Sequence, residues 1–375
     1  MRYLTAGESH GKQLTAIIEG LPSNLPLSIE KINEELKRRQ KGYGRSNRMK
    51  IENDEVRILS GLHLGKTTGA PLTLVINNKD YRELENNKEI LFPRPGHADL
   101  NGVLKYKLKD IRIVLERASA RETAIRVAVG AVAKQLLVLC KIAIASHVIQ
   151  IGDVKAKSPS SFTLDELQRI AEASIVRCVD KDAELKMLSV IDKARKKKDT
   201  LGGIIEILAT GLPIGLGSYV HWDKKLDACI AKALISIQAF KGVEFGLGFS
   251  LASKHGSSIH DEIFWCKEKG YFRKTNNMGG FEGGMTTGQP LIIRAVVKPL
   301  ATLYKPLLSI NIKNKESGFA TIERSDVCAV VSACVVAENV VAWEIAKALM
   351  AKFPCDSFDY LLKYLAEYRK ELVEN

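Results

Sequence analysis

The sequence contains no C-x-x-C pair. Its seven cysteines, at 140, 178, 229, 266, 328, 334 and 355, are odd in number and widely scattered. That argues against a disulfide framework and a thiolate zinc site. It predicts reduced thiols in a cytoplasmic protein. The N-terminus, "MRYLTAGESHG", has no apolar core of the secretory kind. A membrane-spanning run is missing as well. The most apolar stretch, 124–145, is broken by Arg126, Lys134 and Lys141 and reads as a buried core helix. There is no dinucleotide fingerprint. Residues 279–288 hold five glycines in ten positions, but the spacing fits neither G-x-G-x-x-G nor a P-loop. No serine sits in a nucleophile elbow, and no cluster has metal-ligand spacing. Repeats and low-complexity segments are absent.

What is there is a soluble globular chain of 375 residues, 46% hydrophobic and 26% charged, long enough for a large core. Its net charge is +13. The one basic run, "KARKKK" at 193–198, lies in a lysine-rich helical segment and reads as a solvated face. It lacks the interleaved aromatics of a nucleic-acid binder. The arginines differ. They gather at 38, 39, 45, 48 and 94, then at 112, 117, 121 and 126, mostly beside glycines or at element ends. Arginine forks suit carboxylate and phosphate, so this pattern points to a small polyanion.

Residues 12–20 read as a strand, and Ser28 caps a helix that ends near Gly42. Alternation from Arg45 to Asn78 predicts antiparallel strands. The S-x-x-E spacing of Ser119 and Glu122 predicts a helix over 119–140. Residues 164–199 read as charged, exposed helices. The stretch 223–240 reads as an amphipathic helix of similar length to 124–140. A strand follows at 291–302, and a long apolar helix runs from 325 to 353. Long buried helices between strand-rich segments predict one α+β unit over 1–375.

Arg112, Arg117 and Arg121 crowd the expected helix start at "RASARET". Basic groups there oppose the helix dipole. Two readings stand: a solvated start paired with Glu116 and Glu122, or an anion site. Three further signatures are polar: "GESHG" (7–11), "RPGHAD" (94–99) and "ERSD" (323–326). His10 and His97 sit in glycine loops, where functional groups concentrate and where a histidine also bonds its own turn. Asp326 stands near a helix start, as an N-cap or as a functional carboxylate.

Taken together, "AGESHG", "RRQKGYGRSNRM", "RPGHADL", "ERASARETA", "GLPIGLGSYVHWDKKLD", "SIQAFKGVEFG", "GGFEGGMTTG", "KPLATL" and "ERSDVCAV" resemble the chorismate synthase family along nearly the whole chain. The resemblance implies a β-α-β sandwich of long helices between antiparallel sheets, assembled as a homotetramer. It implies anti 1,4-elimination of phosphate from 5-enolpyruvylshikimate 3-phosphate to chorismate, dependent on reduced FMN, with no nucleic acid or membrane involved. An external flavin reductase is expected, with NADPH as an indirect reductant.

Residue by residue, the resemblance assigns His10, His97 and Asp326 to catalysis. His97 tunes the flavin's protonation, His10 serves the substrate phosphate or a proton relay, and Asp326 hands a proton to water. Arg117, Ala118, Ser119, Gln238, Ala239, Gly283, Lys298, Pro299, Leu300, Ala301, Thr302 and Arg324 match the flavin site. Arg39, Arg45, Arg48, Arg94 and Arg121 surround the substrate anions, Arg39 and Arg45 at positions also matched to NADPH. The chain departs from the family pattern at Leu247, Ala301 and the pair Val331 and Ser332.

Overall fold

The computed structural model describes residues 1–45, 53–81, 89–157 and 162–374. Two antiparallel sheets enclose a layer of helices. The first sheet holds β1 (Arg2–Ala6), β2 (Gln13–Glu19), β3 (Val56–Ser60) and β4 (Leu72–Asn77), in the order β1-β2-β4-β3. The second holds β5 (Ala143–Ile151), β6 (Val154–Lys155), β7 (Gly203–Thr210), β8 (Phe240–Phe245) and β9 (Leu291–Val297), in the order β8-β9-β7-β5-β6. β2 alternates buried and exposed residues, as a half-covered strand must.

The helices between them are α1 (Ile29–Gln40), α4 (Thr123–Leu139), α7 (Leu226–Ile235) and α8 (Val330–Lys352); two short ones, α2 (Asp99–Tyr106) and α3 (Ile111–Ala118), precede α4. In α4, 13 of 17 residues are buried, and in α8, 18 of 23. Helices apolar all round belong inside. α4 touches both sheets and packs along α8. Their backbones cross at Gly130, where a Cβ would come within 2.4 Å of the Asn339 carbonyl. Outside this layer, α5 (Leu164–Ala173) covers the far face of the second sheet, α6 (Lys181–Lys196) packs beside it, and α9 (Phe358–Glu374) closes the chain. One hydrophobic cluster extends from Leu14 to Leu365.

The β-α-β layering agrees with the expected fold class, and three local expectations change. Ser119 does not start the long helix. It closes α3 and caps a single 3₁₀ turn, Ala120–Glu122, before α4 begins at Thr123. Glu122 accepts from the Thr5 hydroxyl, so no capping box forms. α7 spans ten residues against seventeen in α4, because Trp222–Lys224 forms a separate 3₁₀ turn. The N-cap position of α8 is Ala329, so Asp326 caps nothing. The run Lys193–Lys198 is the solvated end of α6, as expected.

Candidate active site

Seven connections converge at one end of the helical layer and enclose a cleft of about 1010 Å³. They are the β1–β2 loop with His10, the end of α1 with Arg39 and Arg45, and the loop from Arg94 to Ala98. The α3–α4 junction, the Gln238–Lys241 strap, the segment after β9 and the approach to α8 complete the wall. Eight cations line it among the described residues: Arg39, Arg45, Arg94, Arg112, Arg121, Arg324, Lys241 and Lys298. Three carboxylates do: Glu116, Glu323 and Asp326.

Each histidine is held by a buried acid. The His97 Nδ1 lies 2.6 Å from Asp99 Oδ1, and Asp99 Oδ2 accepts from the Arg94 Nε at 2.8 Å and its main-chain N–H at 3.0 Å. Arg94 Nη1 donates to Thr302 Oγ1 at 2.8 Å, which ties the loop to the segment after β9. Burial disfavours the Asp99 anion, but the hydrogen bonds and charges of His97 and Arg94 outweigh it and hold the carboxyl well below the usual range. His10 donates its main-chain N–H to Glu116 Oε2 at 2.7 Å, and its Nδ1 is 2.8 Å from Glu116 Oε1. Its Nε2 faces Asp80 Oδ2 at 3.8 Å, an oxygen that also takes the Arg324 Nη2 at 2.9 Å. The loop carrying His10 turns at Gly7, whose φ of +113° and contact with the Gln13 carbonyl leave no room for a Cβ.

The arginines are committed to acids. Arg121 is buried, with Nη1 and Nη2 on Asp54 at 2.8 and 2.7 Å and Nε on Asn78 at 2.9 Å. Arg39 reaches the same Asp54 at 3.4 Å and Thr123 at 3.1 Å. Arg45 pairs with Asp326 at 2.9 Å. The two lysines are different. Among the described residues, Lys298 Nζ reaches only the Pro299 carbonyl, at 3.4 Å. Burial first, and then the charge of Lys241, lowers its pKa. Two cations set near each other in a wall invite an anion. Gln238 has a buried side-chain oxygen without a hydrogen-bond partner. The next residue, Ala239, holds φ of +72°, a conformation costly for a side chain and frequent at binding sites.

His10, His97, Asp326, Arg39, Arg45, Arg94, Arg121, Arg324, Ala118, Ser119, Gln238, Ala239, Lys298, Leu300, Ala301 and Thr302 all line this cleft. Pro299 sits between wall residues without lining it. Arg48 lies outside the described residues. Two expected flavin residues are elsewhere. Arg117 closes the last turn of α3 and folds back over β1, donating to the carbonyls of Gly7 at 3.0 Å and Thr5 at 3.2 Å. It borders a separate hollow beside Leu4 and Arg126. Gly283 forms the turn between the short strands Phe281–Glu282 and Met285–Thr286, away from the cleft. Sequence reasoning gives no site role to Asp99, Asp54 and Lys241, and takes Glu116 only as an ion-pair partner of a solvated helix start. Asp99 stands inside "RPGHAD", Lys241 inside "QAFKG", and Glu116 inside "ERASARETA". Asp54, in "IENDEV", carries no local signal.

Comparison with known proteins gives a consistent result. The family model described as chorismate synthase matches residues 1–350. A chorismate synthase of Brevibacillus brevis is 57% identical, with 98% of each chain aligned. One of Geobacillus sp. (strain WCH70) is 55% identical over 99% of each. A solved structure titled as the crystal structure of chorismate synthase superposes with a TM-score of 0.83 at 41% identity, covering 100% of this chain and 98% of the other. With the sheets, the helical layer and the cationic cleft in place, these matches show that the chain belongs to the chorismate synthase family.

Proposed function

We propose that this cleft is where the chain performs the family's reaction, the loss of phosphate from C3 and hydrogen from C6 of 5-enolpyruvylshikimate 3-phosphate to give chorismate. The observation that carries the assignment is the charge of the wall, eight cations against three carboxylates, with two acid-held histidines among them. The substrate has two carboxylates and a phosphate, and it complements that excess. Arg94, Arg45 and Arg324 lie where they can fix those anions. Arg121 supports the wall from behind through Asp54.

The residues present fit reduced FMN. The unpartnered Gln238 oxygen, the strained Ala239 and the lysine pair offer polar contacts and positive charge that the protein itself leaves unmatched. Ala118, Ser119, Gln238, Ala239, Lys298, Leu300, Ala301 and Thr302 would hold it. When bound, reduced FMN supplies the electron density that lets phosphate depart with no net oxidation or reduction. The chain's own residues orient the substrate, exclude water and exchange protons. Asp326, kept beside Arg45 and lining the cleft, is the acceptor for the departing proton.

The assembly is a homotetramer, and the reduced flavin comes from an external reductase with NADPH as the indirect source. The absence of a dinucleotide fingerprint from the sequence supports an external reductase, and the homotetramer rests on the family alone. A cytoplasmic setting is supported by seven free cysteines. No helix among the described residues is long and apolar enough to cross a membrane. The decisive assay is anaerobic, with the phosphorylated enolpyruvyl substrate and dithionite-reduced FMN. Phosphate release and diene absorbance should rise together while the flavin stays reduced. Net flavin oxidation in step with turnover would overturn the reading.

A further inference from the structure

His10 meets the same carboxylate twice. Glu116 Oε2 accepts its main-chain N–H at 2.7 Å, and Glu116 Oε1 lies 2.8 Å from its Nδ1. Glu116 is 2% exposed, so water does not compete. Burial alone would favour the neutral acid. The side-chain and main-chain contacts with His10, its charge and the charge of Arg112 outweigh it and lower the carboxyl's pKa. The main-chain N–H and Arg112 favour the anion whichever tautomer the ring holds. An ionised carboxylate only accepts hydrogen bonds. The atom facing Oε1 must then be a donor.

We infer that Glu116 is a positioning residue that fixes a proton on Nδ1 of His10 and thereby makes Nε2 the nitrogen that exchanges protons with a ligand in the cleft. The groups facing the ring agree with this. Asp80 Oδ2 lies 3.8 Å from Nε2, too far for a direct hydrogen bond, and the same oxygen takes the Arg324 Nη2 at 2.9 Å. His97 is held in a related way by Asp99, but there Arg94 Nη2 crowds the same ring nitrogen at 3.0 Å. Glu116 is therefore the cleaner case. The part His10 plays in turnover rests on the elimination proposed above; the position of its proton does not.

The geometry makes a conservative substitution informative. In Glu116→Gln the main-chain N–H of His10 still can only donate, so the amide oxygen must face it. The amide nitrogen, also only a donor, then faces Nδ1. The ring can shift its proton and the main chain cannot. Nδ1 becomes an acceptor and the proton moves to Nε2.

The test is two-bond ¹H–¹⁵N spectroscopy of the full-length protein labelled at histidine nitrogens, at pH 8.5, with His10 assigned by loss of its signals in His10→Asn. The wild type should carry a proton on Nδ1, and Glu116→Gln should lack it there. A wild-type Nδ1 without a proton, or a variant Nδ1 that keeps one, would overturn the inference. The wild-type spectrum decides alone if the variant does not fold. With reduced FMN, kcat of Glu116→Gln should fall about 10²-fold with KM nearly unchanged. A shifted proton with unchanged kcat would uphold the placement and instead remove His10 from the elimination.

Discussion

Two clusters of charge lie in the same molecule and are resolved in opposite ways. One is inside, between α1, α4, α8 and β5. Arg38, Lys134 and Arg177 meet Glu35, Glu172 and Glu338 there, three cations against three carboxylates. Glu338 is fully buried, yet it takes Arg38 at 2.8 Å, Lys134 at 2.6 Å and the Ser146 hydroxyl at 2.6 Å. The other is the cleft, where eight cations line the wall with three carboxylates. The interior knot matches its charges three to three, although the Arg177 Nε has no hydrogen-bond partner among the described residues. In the cleft, Asp54, Asp80 and Asp99 behind the wall take Arg39, Arg121, Arg324 and Arg94, and the lysines Lys241 and Lys298 add positive charge to its surface. Basic residues alone therefore do not identify a binding site; the balance with their acidic partners does.

The comparison breaks first at the interior knot. Glu338→Ala leaves the buried Arg177 and the half-buried Arg38 and Lys134 short of a partner, and loss of one member of a buried ion pair costs about 3–5 kcal/mol. Urea unfolding should show it, with no recovery on adding phosphate. The same knot sets an acid limit. Burial disfavours the Glu338 anion, but Arg38 and Lys134 outweigh it, and the carboxyl is held far below its ordinary value. A depressed carboxylate contributes stability above its unfolded pKa of about 4.3 and loses it as pH falls towards the folded value. Stability should therefore drop below about pH 4 in the wild type and less steeply in Glu338→Ala.

The cleft should respond in function and not in folding. Asp326→Asn keeps an oxygen for Arg45 and caps no helix, so melting should hardly move. Turnover should fall about 10²-fold or more, since an amide does not take the proton. Near-normal turnover in anaerobic assays would exclude Asp326 from the reaction. A smaller effect is expected at the lysine pair. Lys298→Ala removes a charge-assisted contact worth about 1.5–3 kcal/mol, so FMN affinity should weaken about tenfold to a hundredfold, read by flavin fluorescence. Raised salt should narrow that gap. The smallest change belongs to Arg117→Ala. Its bonds to Gly7 and Thr5 are exposed, so about 1 kcal/mol of stability should go. Unchanged FMN affinity would keep it outside the site; a weakened one with stability intact would return it there.

Much of the site was legible before the structure. The loops holding His10 and His97, the arginines and the strap at Gln238 were all marked by short ordered motifs. The acids that govern them were not. Glu116 reads as a surface partner in a basic stretch, and only the fold sets it against His10, 106 positions away in sequence. Arg117 and Arg121 look equivalent at a spacing of four. The break at Ser119 separates them, sending one over β1 and the other into Asp54.

The sequence by itself determined the layered α+β class, the apolar helices that must lie inside, the family and the positive charge. These follow from periodicity, composition and contiguous motifs, which are local properties of the chain. Tertiary structure alone decided which acid each cation meets. It also set Glu116 against Nδ1 of His10 and Asp326 beside Arg45. Those depend on carboxylates brought from distant segments, and Coulomb attraction and hydrogen bonding act over a few ångströms of space, whatever the separation along the chain.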